Sequence, residues 1–220
     1  TVTYELNNDN EFLMDFHAIS DQDTIVNMTN HNYWNFHGHG DNYQNNEDHI
    51  VNINSNSICE TDEQSIPTGK LLEVEGTKFD LQKDFLINKD FLNSGGIDHN
   101  YALDDQSMKE AVARIFSKKT GLGVEYFTNQ QGIQFYTGNM MLDKYLGKYD
   151  KPYGFQYGMC LEPQHYPDAI NHSNFPTPIL RKNKNYLSKI KIIGYVNENE
   201  INGISTDNTV EVKILNKKKS

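Results

Sequence analysis

The sequence predicts an all-β chain folded as a large sandwich of two facing sheets. Many short segments alternate apolar and polar residues with a period of two, and most are bounded by Gly, Asn, Asp or Pro. No window sustains a 3.6-residue apolar period between good caps, which removes long helices. Aromatic residues make up 11% of the 220 positions, enough apolar bulk to fill a core although the mean hydropathy is −0.72. For this length, sheets facing each other across a core are a simpler solution than a closed barrel.

The alternation begins at Tyr4 and Leu6, breaks at the turn-like NNDN of 7–10, and resumes with Phe12, Met14, Phe16 and Ala18 on one face. Leu13, Asp15 and His17 fall on the other face, so two strands joined by a hairpin are expected. Further strands are predicted at 24–29, 49–54, 68–75, 111–117, 122–128, 132–137, 157–162 and 186–196, with SKKTGLG at 117–123 as a hairpin turn. DFLINKDFLN at 84–93 has room for one short helical turn. Residues 1–196 read as a single unit without internal repeat or linker. Residues 197–220 read as a polar tail with one further strand, VEVKIL, before three lysines that solvate its end.

The formal charge of −10, with arginine only at 114 and 181, argues against nucleic acid, whose phosphates need clustered cations. It disfavours phosphorylated ligands for the same reason. No apolar run approaches the ~20 residues of a membrane span, and no signal-peptide pattern opens the chain. The sequence starts at Thr1, already in a strand-like segment, so a natural N-terminus is expected to precede it. Cys59 and Cys160 lie far apart and read as two free thiols, which points to the cytoplasm.

Four residues carry candidate chemistry. Glu162, between Leu161 and Pro163 in GMCLEPQHYPDAINHSNFP, is a carboxylate in an apolar setting, suited either to proton transfer or to bonding local backbone donors. His31 lies between two asparagines beside Tyr33 and Trp34, where an imidazole can exchange a proton near neutral pH and the rings offer faces for a sugar. Its other reading is a hydrogen-bonded histidine at a sheet corner. Asp98, after two glycines, and Gln134, within GIQFYTGN, supply the directional acceptors and donors that hydroxyl groups need, or simply occupy a turn and a solvent-facing position. His37, His39 and Asp41 form an H-x-H-type set, but the spacing matches no structural zinc pattern, and no metal is expected.

Four motifs in the same order make the chain resemble the aldose 1-epimerases, the galactose mutarotases. NMTNHNYWNF, GGIDHNYAL, GIQFYTGN and CLEPQHYPDAINHSNFP carry the resemblance, which runs from about Val2 to Tyr195. It implies a β-sandwich of the galactose mutarotase type that binds a free hexose, galactose or glucose, and interconverts its α and β anomers without a cofactor. It implies Glu162 as general base, His31 as general acid, and Asp98 and Gln134 as substrate-binding residues.

The chain departs from the family in lacking the N-R and L-H-G-G motifs, which in the family carry an asparagine–arginine pair and a second active-site histidine. The expectation is therefore a sandwich incomplete at its N-terminus, with open sheet edges. Trp34 stands where the family more often has phenylalanine, and Pro163 where it often has threonine; neither change removes a proton-transfer group. Two other functions stay open: a non-catalytic carbohydrate-binding sandwich, and a glycoside hydrolase using Asp98 and Glu162 as its carboxylate pair. The expected partner is a small hexose, not nucleic acid or membrane, and the oligomeric state is left open.

Overall fold

A computed structural model describes residues 1–39, 44–142, 144 and 146–197. Its strands are β1 (Val2–Leu6), β2 (Glu11–Ile19), β3 (Thr24–Ile25), β4 (Tyr33–Trp34), β5 (His49–Ile53), β6 (Ser57–Thr61), β7 (Pro67–Glu73) and β8 (Phe85–Leu86). After the helix α1 (Lys89–Asn93) follow β9 (Asp98–Ala102), β10 (Ala113–Ser117), β11 (Leu122–Thr128), β12 (Gly132–Tyr136), β13 (Met159–Gln164), β14 (Ile179–Leu180) and β15 (Asn185–Val196). They form a seven-stranded sheet in the order β1-β2-β15-β11-β10-β5-β8, a six-stranded sheet in the order β4-β13-β12-β9-β6-β7, and the small pair β14-β3.

The two large sheets share one core. Met14, Val51, Ile115 and Tyr126 from the first sheet pack in the same buried cluster as Ile58, Tyr101, Ile133, Phe135, Met159 and Leu161 from the second. This is the face-to-face arrangement that the alternation predicts, because each strand sends every second residue inward. Trp34 crosses between the layers: its indole Nε1 donates to the Tyr126 hydroxyl at 2.6 Å, which fixes the edge strand β4 against the opposite sheet. Tryptophan can make that bond where phenylalanine cannot.

The expected hairpin is present, with Met14 opposite Tyr4. Other boundaries differ. The strand expected at 24–29 is reduced to Thr24–Ile25, and 84–93 divides into β8 and the five-residue α1, capped by Asn88, whose side chain accepts from the Phe91 amide. The strand expected at 157–162 runs instead from Met159 to Gln164, which moves Glu162 from a strand end to the strand interior. The tail strand expected at 210–215 and the terminal lysines lie outside the described residues.

A neutral histidine stitches β5 to the segment after β4. The His49 ring is fully buried: its Nδ1–H donates to the Asn46 carbonyl at 3.1 Å and its Nε2 accepts from the Phe36 amide at 2.9 Å. Burial first, and the His37 ring tilted against it with centroids 4.2 Å apart second, push its pKa from 6.5 down to about 3. The unfolded chain therefore takes up this proton first as pH falls, so stability is complete above about 6.5 and declines toward about 3. Buried His37 and half-buried His99 and His165 are shifted in the same direction, each chiefly by removal from solvent. Urea unfolding at pH 7 and pH 5 isolates this contribution by comparison: over that interval His49→Gln should lose less stability, or gain more, than the parent, by up to about 1.4 kcal/mol per pH unit.

Candidate active site

Strand register assembles a polar site on the outer face of the six-stranded sheet. Gln134 on β12 stands directly opposite Glu162 on β13 and Asn100 on β9, and residues paired across a ladder share a face. One pair further along, Tyr136 stands between Cys160 and Asp98, and β4 adds Tyr33 opposite Cys160. The result is two parallel rows, Glu162–Gln134–Asn100 and Tyr33–Cys160–Tyr136–Asp98. The alternate residues Ile133, Phe135, Tyr101 and Leu161 point into the core and hold the rows in place.

The two glycines before Asp98 have a local cause. Gly95 and Gly96 adopt φ of +96° and +60°, and a Cβ on Gly96 would lie 2.2 Å from Thr137 Oγ1. That close approach lets Thr137 Oγ1 accept from the Ile97 amide at 2.9 Å, which sets the start of β9 and with it Asp98.

His31 arrives from the loop preceding β4. That loop is tied to the segment after β13 by two bonds: the Asn27 side chain accepts from the His165 amide at 2.9 Å and donates to its carbonyl at 3.3 Å. The His31 ring stacks on Tyr33 with centroids 5.1 Å apart and planes inclined by 16°. Its Nε2 lies 3.5 Å from Glu162 Oε1, and its side chain is 53% exposed against 9% for Glu162. All four sequence candidates therefore meet in one cleft of about 500 Å³, together with Asn100 and Tyr136.

The cleft is electrostatically lopsided. Asp98 Oδ1 accepts from Gln134 Nε2 at 2.7 Å, which orients both side chains. Burial first, and the negative charge of Asp98 second, push the Glu162 carboxyl from 4.5 up to about 7. A carboxyl there is ready both to accept and to return a proton near neutrality. Tyr33 is pushed up to about 12, mainly by burial, so it remains a neutral phenol under His31. Asp98→Asn should lower the Glu162 pKa while leaving it above 4.5, because burial persists; carbon-13 titration of the Glu162 carboxyl would report the shift.

The H-x-H set does not converge. His37 is buried against His49, His39 is exposed with Nε2 3.0 Å from the Tyr153 hydroxyl, and Asp41 lies outside the described residues. Tyr136, Asn100 and Cys160 are site-facing residues that motif reading did not single out. The signal for Cys160 was its two-residue spacing from Glu162, which places both on one side of β13.

The family model described as aldose 1-epimerase matches residues 1–192. The galactose mutarotase of Rattus norvegicus is 39% identical over 189 residues, covering 84% of this chain and 54% of that protein. The aldose 1-epimerase of Escherichia coli (strain K12) is 32% identical over 197 residues, covering 86% and 56% respectively. A crystal structure of an aldose epimerase homologue from C. elegans superposes with a TM-score of 0.78 at 25% identity, covering 89% of this chain and 59% of that chain. A galactose 1-epimerase from Lactobacillus acidophilus NCFM gives 0.70 at 23% identity over 89% of this chain and 56% of that chain, a likeness of fold. The chain spans about half the length of the curated relatives it matches.

Proposed function

The chain belongs to the aldose 1-epimerase family, and from that membership we propose that it interconverts the α and β anomers of a free hexose, galactose or glucose, by acid–base ring opening and reclosure. The observation that carries this reading is the His31–Glu162 pair, 3.5 Å apart, in which the carboxyl is buried and titrates at about 7. In the ring-opening direction Glu162 takes the proton of the C1 hydroxyl while His31 delivers a proton to the ring oxygen. The bond between C1 and the ring oxygen breaks, and an aldehyde forms. Rotation about C1–C2 presents the other carbonyl face, and the ring closes with the two residues in reversed roles.

Each proton transfer contributes about 10²–10⁴ in rate when donor and acceptor are positioned. Asp98 and Gln134, locked together by their hydrogen bond, supply that positioning by accepting from and donating to ring hydroxyls. Two carboxylates in a cleft with no lysine or arginine among its lining residues favour a neutral sugar over a phosphorylated one. Among the described residues no helix is long and apolar enough to cross a membrane. Both cysteines are free and buried, which supports a reducing compartment, the cytoplasm.

The direct test is polarimetry of freshly dissolved α-galactose and α-glucose with the purified chain. The expected result is equilibration faster than the spontaneous reaction, with a rate that falls as pH drops below about 7 and Glu162 gains a proton. Because the family's asparagine–arginine pair and second histidine belong to motifs this sequence does not contain, the binding reading has its own outcome: hexose retained in equilibrium dialysis without acceleration. Hydrolysis of an aryl glycoside would replace both readings by the hydrolase one.

A further inference from the structure

We propose that His31, Cys160 and Glu162 form a binding site for a thiophilic divalent cation of the zinc class, and that its occupancy shuts off the anomer interconversion. One donor atom from each residue lies within 4.8 Å of the other two, and among the described residues this is the His/Cys/Asp/Glu group so arranged. Imidazole, thiolate and carboxylate are all ligand types that zinc takes, and three protein ligands with an open fourth position is a common zinc arrangement.

Geometry supports closure on an ion. Bond lengths of about 2.0–2.3 Å around a tetrahedral ion bring neighbouring donor atoms to about 3.5 Å from each other. His31 Nε2 and Glu162 Oε1 already stand at 3.5 Å, so most of the adjustment falls on the side towards Cys160. Cys160 and Glu162 are two residues apart on β13 and therefore face the same way on a strand paired along its length with β12. His31 sits on a loop with a half-exposed ring, so it can swing to admit the cation and then close over it.

Charge points the same way. Asp98 and Glu162 bring two carboxylates to a cleft with no lysine or arginine among its lining residues. A dication supplies the missing positive charge, and its bonding to sulfur displaces the Cys160 thiol proton to solvent. The balance is one Zn²⁺ taken up and one proton released from the thiol, with a second released from Glu162 in those molecules whose carboxyl is protonated. Because the ion takes the nitrogen and oxygen lone pairs that would handle the sugar's protons, occupancy and turnover exclude each other. The inhibitory half of the proposal rests on the proposed function; the binding half does not.

The test is competition of the purified full chain with a chromophoric zinc chelator, in parallel with polarimetry. The expected results are one Zn²⁺ per chain at micromolar affinity, proton release into weakly buffered solution, loss of mutarotation in step with occupancy, and recovery with EDTA. Magnesium, which prefers hard oxygen ligands, should neither bind nor inhibit. Cys160→Ala should weaken zinc binding at least about tenfold, since even partners one shell removed from a metal are worth about 10–100-fold. Cys160→Ser, close in size, guards against a packing artefact and should also bind weakly, whereas Cys59→Ala and His39→Ala should bind as the parent does. No stoichiometric binding, or unchanged affinity in Cys160→Ala, would overturn the site. A chain that binds zinc without accelerating mutarotation refutes the proposed function alone, and one that turns over but ignores zinc refutes this inference alone.

Discussion

Replacing Glu162 by glutamine is expected to slow mutarotation by about 10²–10⁴ and, in the same protein, to raise its stability above neutral pH. The two effects share one cause. The fold buries this carboxyl and sets it beside Asp98, so the charged form is disfavoured and titration moves from 4.5 to about 7. An unfolded chain loses that proton near 4.5, whereas the folded chain holds it to about 7. The stability that the raised group contributes is therefore complete below 4.5 and is lost as pH rises through about 7. Glutamine keeps the shape and carries no charge, so the variant should gain on the parent between pH 4.5 and 7 and hold that gain above it.

With allowance for the water that reaches the cleft, the gain is on the order of 1–2 kcal/mol at pH 8, and each kcal/mol corresponds to about 2–4 °C in Tm for a chain of this size. Thermal melts at pH 4.5 and pH 8, beside polarimetric rates, would check both halves. A structural carboxylate held by local donors predicts the reverse, since removing it would lower stability at pH 8. A variant both slower and less stable would therefore return Glu162 to a structural role.

How much of this was legible in the sequence depended on the kind of residue. The long alternating strands were readable because one buried face imposes a period of two: β2, β11 and β15 fall almost where the pattern puts them. β3, β4, β8 and β14 are two residues long, too short for any alternation to register. β6 and β9 are longer but give no clean alternation: SICET sets Ile58 and Cys59 side by side, and DHNYA opens with three polar residues in a row, among them Asp98 and Asn100 of the candidate site. Asp98 and Asn100 break the strand pattern of β9 for the same reason that they line the cleft. The polar residues of the candidate site obscure the local signal where they are most concentrated.

The site residues show the same division. Glu162, His31, Asp98 and Gln134 stand out as polar or titratable side chains within short segments, but each has a structural reading there, and the resemblance of the four motifs to the aldose 1-epimerases is what assigns their roles. Cys160 does not stand out, because a buried thiol reads as a small core residue. Its place beside Tyr33 and Tyr136 is a matter of ladder register across β4, β13 and β12, and register between separate strands, with β4 over a hundred residues from β13, is not written in any one segment. Nor does the sequence reveal that His31 stacks on Tyr33, or that Trp34 pins that strand to the far sheet through Tyr126.

His31→Asn should cost about 10²–10⁴ in kcat, as Glu162→Gln does, but with an opposite structural signature: almost no change in Tm at any pH. The ring is half exposed, carries no core packing, and touches the fold chiefly through its stack on Tyr33. Surface substitutions of that kind usually stay within about 0.5 kcal/mol. Asp98 and Gln134 remain in place, so hexose binding measured by dialysis should persist while turnover is lost. The sharper measurement is the double variant. If His31 gives a proton to the ring oxygen as Glu162 takes one from the C1 hydroxyl, the two act on one transition state. Removing both should then cost little more than removing either, far less than the product of the single losses. Losses that multiply would mean that the two residues act in separate steps, and a near-normal rate in His31→Asn would remove the histidine from the reaction, leaving Glu162 to work with a donor from elsewhere.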